Sequence, residues 1–256
     1  MAWAGLRKKV LAGEYVYGMM IRQSRDTGTP AIFAAAGYDF VYIDMEHGNY
    51  SMETVADMIR GCKSVGLASI IRVPRLETFF ISRVLDAGAE GIMVPMTSTR
   101  EDAELIVRYS KFTPLGLRGF GNQTGQTDYK PLNTAQFMKE ANDHTLIVAQ
   151  IETQEAIDNI EGILDVNGID VAVIGPNDLS ISLGVPDQME SDVMNKAIGR
   201  VVEAAKKKKK ASGIHVGNLS MVRNWRSKGM NFLAYSTDIS FMYTASKAGL
   251  EQLKAP

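Results

Sequence analysis

The feature that most constrains this chain is alternation. Short β-rich runs recur, separated by longer stretches with helical periodicity. Strands are expected at residues 15–20, 40–44, 69–73, 91–95, 146–150, 171–174, 212–215 and 232–235. Helices are expected at 30–36, 52–65, 78–87, 100–109, 134–142, 153–162, 192–209, 221–228 and 239–253. Alternating β and α segments build a parallel sheet with right-handed crossovers. Eight such units in 256 residues is the arithmetic of an α/β protein with a (β/α)8 TIM barrel. The alternative is an open doubly wound sheet, weakened in its dinucleotide-binding form because no GxGxxG follows the first strand. Gly66, Gly88 and Gly229 each end a helical stretch just before a β-rich run, as the turn from helix to strand requires.

Composition narrows the function. Hydrophobic residues make up 45% of the chain, enough for a substantial core. With 28 basic and 29 acidic residues the net charge is −1, which disfavours a nucleic-acid surface. One cysteine, Cys62, excludes an intramolecular disulfide and a multi-cysteine zinc site. No apolar run nears the roughly 20 residues of a membrane span, and MAWAGLRKKV lacks a signal-peptide core. A soluble, cytoplasmic chain of one barrel domain spanning 1–256 is expected. Five lysines at 206–210 end a predicted helix, where cations suit the helix dipole better than they suit a nucleic-acid or lipid patch. The longest irregular stretch, 111–131, is expected to serve as a lid or a contact between subunits.

In a barrel of this kind the chemistry sits at the C-terminal ends of the strands. Those ends carry Asp44-Met45-Glu46-His47-Gly48, Arg72, Gln150-Ile151-Glu152-Thr153, Gly175-Pro176-Asn177-Asp178 and His215. Glu152 and Asp178 follow consecutive strands, which lie about 4.8 Å apart, so their carboxylates could share a hard cation such as Mg²⁺ or Mn²⁺. On spacing alone it is equally open that Glu152 caps a helix and Asp178 a turn. His47, in a polar loop, titrates near neutrality and suits a general base. Arg72 stands in an otherwise apolar strand and needs an anionic partner. The backbone N–H groups of residues 175–178 could bind a carboxylate.

The stretches YIDMEHG, IIRVP, LDAGAEGIMVPM, RYSKFTPLGLRGFG, ANDHTLIVAQIET and VAVIGPNDLSISLG resemble the HpcH/HpaI aldolases, the class II pyruvate aldolases. The resemblance runs in order through nearly the whole chain. It implies a phosphoenolpyruvate/pyruvate-type barrel, a divalent metal and a metal-bound pyruvate enolate. Carried over residue by residue, it implies Glu152 and Asp178 as metal ligands and His47 as the base, acting through a metal-bound water. It implies Asp86 as the acid that raises the basicity of His47. Arg72 is implied as stabiliser of the enolate, with Gln150, Gly175, Pro176, Asn177 and Asp178 as pyruvate contacts. Mg²⁺ or Mn²⁺ is the implied cofactor, with Co²⁺ and Zn²⁺ compatible. The implied assembly is a homohexamer, a trimer of dimers with C-terminal helices exchanged.

His215 stands where the family often has an apolar residue near the aldehyde, and Arg22 and Arg25 follow the first strand. These departures suggest an anionic or polyhydroxylated aldehyde tail. The expected reaction is retro-aldol cleavage of a 4-hydroxy-2-oxo acid to pyruvate and an aldehyde. Competing expectations are an oxaloacetate decarboxylase, a CoA-ester lyase, and a silent barrel used for assembly or ligand sensing.

Overall fold

The structure, a computed structural model, describes residues 3–255. The chain begins with α1 (Leu6–Leu11), which the sequence reading lacked, then β1 (Val16–Ile21), α2 (Thr29–Ala35), β2 (Phe40–Asp44) and α3 (Met52–Ser64). Next come β3 (Ala68–Arg72), α4 (Thr78–Ala87), β4 (Gly91–Val94) and α5 (Arg100–Ser110). After a loop follow α6 (Thr134–His144), β5 (Leu146–Ile151), α7 (Gln154–Asp158), α8 (Ile160–Asp165) and β6 (Val171–Ile174). The last third holds α9 (Pro176–Ser182), α10 (Asp192–Lys208), β7 (Ala211–Val216), α11 (Leu219–Ser227), β8 (Phe232–Thr237) and α12 (Asp238–Lys254). The strands pair in parallel and in sequence order, and β8 closes on β1, so the barrel is complete.

All eight expected strands are present, with the first and third displaced by one residue. The helix expected at 153–162 is instead two, broken at Asn159 (φ −98°, ψ 8°). There the Asn159 amide donates to the Ser98 carbonyl at 3.0 Å, a tertiary bond that holds the break. Gly66, Gly88 and Gly229 have φ of 70°, 109° and 109°, as the helix-end reading required. Lys206, Lys207 and Lys208 form the last turn of α10. No helix among the described residues is long and apolar enough to cross a membrane.

Strand alternation divides the apolar residues into two cores. The set Val41, Ile43, Ile71, Ile92, Ile147 and Ile174 faces the helices. The other, with Val16, Phe40, Tyr42, Ile70, Val148 and Phe232, fills the barrel. Phe40 and Phe232 stack across it, with ring centroids 4.4 Å apart. A Cβ at Gly18 would lie 2.2 Å from the Phe40 ring, so Gly18 is what lets that ring cross the interior.

The loop after α5 and α6 lie at the N-terminal end of the barrel, since α5 runs back from the strand tips and β5 starts below. It therefore cannot close over this chain's own strand-end site, and the lid expectation is corrected. Lys111 is buried here and donates to the Asn142 and Thr145 carbonyls at 2.6 and 2.7 Å, capping the end of α6. Burial pushes its ammonium down to about 8 from an ordinary 10.5. Between those values the unfolded chain holds a proton that the folded one lacks, so folding gains stability as pH rises. Relative to Lys111→Met, the wild type should gain ~1–3 kcal/mol between pH 8 and 10.5; melting curves at pH 7.5 and 9.5 measure this, and a constant gap would refute it.

At the opposite end, the buried carboxylate of Asp238 opens α12 and accepts the backbone N–H groups of Arg22, Gln23 and Ser24 at 3.0, 3.0 and 2.8 Å. Past Asp238, α12 buries none of its residues and exposes Met242, Tyr243, Leu250 and Leu253.

Candidate active site

The inward rows of the strands turn polar at their C-terminal ends. Two residues beyond Tyr42 stands Asp44, beyond Ile70 stands Arg72, and beyond Val148 stands Gln150. Met20, Arg72, Met93, Gln150, Val173 and His215 floor a cavity of about 440 Å³. Arg22, His47, residues 175–178, Glu190 and Asn218 form its walls and rim. No lysine lines it, which disfavours an imine route.

Asp44 and Arg72 are register partners on neighbouring strands. Arg72 donates to both Asp44 oxygens, Nε at 2.8 Å and Nη2 at 2.7 Å. Its Nη1 lies 2.9 Å from Glu46 Oε2. Burial pushes the Asp44 carboxyl up, but the Arg72 hydrogen bonds and charge outweigh it and hold it below the usual range. Burial raises that of Glu46, against the pull of Arg72. Asp44 Oδ1 also accepts the N–H groups of Glu46 and His47, at 3.0 and 3.3 Å, shaping the loop that presents His47. The His47 imidazole is half-exposed, with Nε2 3.8 Å from Glu46 Oε2. One carboxylate thus fixes both the guanidinium and the imidazole loop.

Glu152 lies just beneath the cavity surface. Its Oε1 accepts the Met96 N–H at 2.6 Å, and Gln150 Nε2 donates to its Oε2. A Cβ at Gly175 would stand 2.4 Å from that Oε2, so glycine there leaves the carboxylate uncovered toward Asp178. Burial raises Glu152 to about 7, and the charges of Glu46 and Asp178 add to the rise. Gln150 Oε1 is buried with no hydrogen-bond partner. Uncompensated negative charge beside an orphaned oxygen is a donor set that fits a hard divalent cation. Among the described residues no three His, Cys, Asp or Glu side chains converge as ligands, so two carboxylates would leave most positions to water and substrate oxygens.

Asp178 and Asn177 sit in the first turn of α9, behind Gly175 and Pro176. First-turn N–H groups have no intrahelical acceptor, and here they border the cavity. His215 Nε2 lies 2.9 Å from the Ser236 carbonyl; a carbonyl only accepts, so Nε2 carries the proton. Burial holds this imidazole below its ordinary value, and so neutral. Ser236 has φ 64° at a bulge where β8 gains a residue on β1.

Asp86 is not brought to this site within the protomer. It lies near the end of α4, which runs from the tip of β3 back to the start of β4, and so sits at the opposite face. There it pairs with the buried Arg118, which also donates to Gln126 at 2.8 Å. Of the two tail arginines, Arg22 borders the cavity, with Nε 3.3 Å from Asp44. Arg25 donates instead to the Asn49 carbonyl at 3.0 Å and is not a wall residue. From the sequence, Asp44 and Glu46 stood among the strand-end residues without a role, and the Met96 N–H, Glu190 and Asn218 were missed. For Asp44 the signal was available: like Arg72 it ends an apolar strand.

Similarity to known proteins agrees with this architecture. The model of the family described as HpcH/HpaI aldolase/citrate lyase matches residues 19–245. A hydroxypyruvate/pyruvate aldolase of Roseobacter denitrificans is 32% identical over 94% of this chain and 94% of its own. A 2-keto-3-deoxy-L-rhamnonate aldolase of Klebsiella pneumoniae is 30% identical over 93% of this chain and 88% of its own. The crystal structure of an HpcH/HpaI aldolase from Desulfitobacterium hafniense superposes with a TM-score of 0.94 at 32% identity, covering 98% of this chain and 97% of that one. With its closed barrel, its strand-end carboxylates and a match over most of its length, the chain belongs to the HpcH/HpaI aldolase/citrate lyase family of carbon–carbon lyases.

Proposed function

We propose that this protein cleaves 4-hydroxy-2-oxo acids reversibly to pyruvate and an aldehyde. The observation that carries the reading is the gathering of His47, Arg72, Gln150 and Asp178 on one cavity, with Glu152 beneath it. Relatives named as aldolases of pyruvate and of a 2-keto-3-deoxy sugar acid support it. A divalent cation held by Glu152 and Asp178 would supply Lewis-acid stabilisation of charge on the 2-oxo oxygen.

The remaining work falls to this chain's own residues. Gln150 and the first turn of α9 hold the substrate carboxylate and 2-oxo group. His47 takes the proton of the 4-hydroxyl. The C3–C4 electron pair then moves into the C2–C3 bond, and negative charge builds on the C2 oxygen. Arg72, locked by Asp44 and Glu46, presents a fixed positive charge there at no cost in reorganisation. Protonation at C3 releases pyruvate. The neutral polar rim of Thr237, Ser240 and Asn218, with Glu190, favours a polyhydroxylated aldehyde over an anionic one.

The exposed apolar residues of α12 support a homo-oligomer in which this helix rests on a neighbouring copy. Asp86 could act at a His47 only across such an interface.

The test is pyruvate release from a panel of 4-hydroxy-2-oxo acids, with EDTA and with Mn²⁺ or Mg²⁺ restored. Metal-dependent release is expected, strongest for sugar-acid substrates; absence of release from every member would overturn the reading. His47→Ala should lower aldol cleavage by about 10²–10⁴-fold while sparing oxaloacetate decarboxylation, which has no 4-hydroxyl proton to remove. Equal loss of both would place His47 outside the base role.

A further inference from the structure

The lysines at 206–210 take no part in this chemistry. Lys206, Lys209 and Lys210 meet Lys228 around a second cavity, of about 460 Å³. It lies at the N-terminal end of the barrel, beside Tyr15, Ser212 and Asn231, where β1, β7 and β8 begin. We propose that this cavity binds a small metabolite bearing phosphate esters.

Charge accounting carries the argument. No carboxylate lines the cavity. Of the acids nearby, Asp170 takes both Arg7 donors at 3.0 and 2.9 Å and Asp165 pairs with Lys208, while Glu14 and Glu203 are exposed and do not line the cavity. Among the described residues, none of the four lysines forms an ion pair. Lys210 reaches only the Ile169 carbonyl, at 2.6 Å, and Lys228 lies 4.1 Å over the Trp225 ring. A further cation, Arg226, stacks on the Tyr15 ring at 4.5 Å.

Neutralisation of helix ends accounts for part of this charge and no more. The C-caps of α1, α10 and α11 are Ala12, Lys209 and Lys228, all on the cavity wall. Each helix end carries about half a negative charge, so the three offset about 1.5 of four ammonium charges. A surplus of roughly two to three positive charges remains around a cavity of ligand size. Lysine is a point-charge partner suited to phosphate, and a doubly charged ester fits the surplus.

Trp225 offers a direct readout. In a Trp3→Phe background it is the sole tryptophan, and a ligand that draws Lys228 off its ring should alter its emission. The probe is fructose 1,6-bisphosphate, added in Mg²⁺ and about 0.15 M salt, with fructose 6-phosphate, fructose and citrate as further arms. A saturable change with Kd below about 1 mM is expected, weaker for the monophosphate and absent for fructose. Lys206→Gln with Lys209→Asn should weaken binding at least tenfold while leaving aldol turnover unchanged. Asparagine tolerates the left-handed backbone at Lys209, φ 54°. No saturable change with the bisphosphate, or undiminished binding in the double variant, would overturn the site. Citrate bound as tightly would overturn the phosphate assignment.

Discussion

Glu152→Gln should abolish most turnover without destabilising the metal-free protein. The change is nearly isosteric. The introduced amide oxygen still accepts the Met96 N–H, and Gln150 can flip to offer its orphaned Oε1 to the new donor. Burial and the charges of Glu46 and Asp178 weigh against the carboxylate, so its removal relieves repulsion in the metal-free fold. Turnover should fall by roughly 10³-fold or more, since one of two anionic oxygen donors for the cation is lost. Two melting curves separate the effects. With EDTA the variant should melt no lower than wild type. With Mn²⁺ the wild type should gain stability by linkage and the variant should not. A variant that melts lower with EDTA would show that Glu152 is structural.

Arg72→Met should have the largest effect on stability. It strips the two-pronged partner from Asp44, which is fully buried, and leaves it only two backbone N–H groups and Arg22 Nε at 3.3 Å. An unpaired buried charge costs about 3–5 kcal/mol, or about 10 °C in a chain of this size; Arg22 brings the expected loss to the lower end of that range. Turnover should fall by at least about 10²–10³-fold, the range for removing a preorganised charge at a developing oxyanion. The informative variant is the double one. Arg72→Met with Asp44→Asn removes both charges and should recover most of the lost stability and none of the turnover. Recovery of turnover would mean that Arg72 serves only the fold.

The barrel was legible in the sequence because period-2 runs and helix-stopping glycines recur in step. What sequence could not supply was register and direction. Arg72 visibly needed an anion, but its choice of Asp44 depends on the alignment of β2 with β3. The helix expected at 153–162 hid a break because Asn159 is held by Ser98, a residue some sixty positions earlier. Asp86 shows the reverse. Its motif assigned it to the chemistry, whereas the direction of α4 carries it to the far face. The lysine cavity draws on three separate segments: the run 206–210 displayed three of its four lysines, but nothing local showed that Lys228 and the start of β1 close around them.

Asp238 joins two parts of the molecule that would otherwise move apart. One end of its clamp is the backbone of Arg22, Gln23 and Ser24 at the mouth of the site. The other is the root of α12, a 17-residue arm about 25 Å long at 1.5 Å per residue. An arm of that length, fixed at its base and bare along its sides, is a lever. Torque applied anywhere along it is felt at the pivot, and the pivot holds the lip through which the aldehyde must pass. Under the proposed reaction, selectivity for the substrate's tail would be mechanically tied to the position of α12. A chain shortened within α12 should therefore differ first in which aldehydes it accepts, before it differs in how tightly it folds.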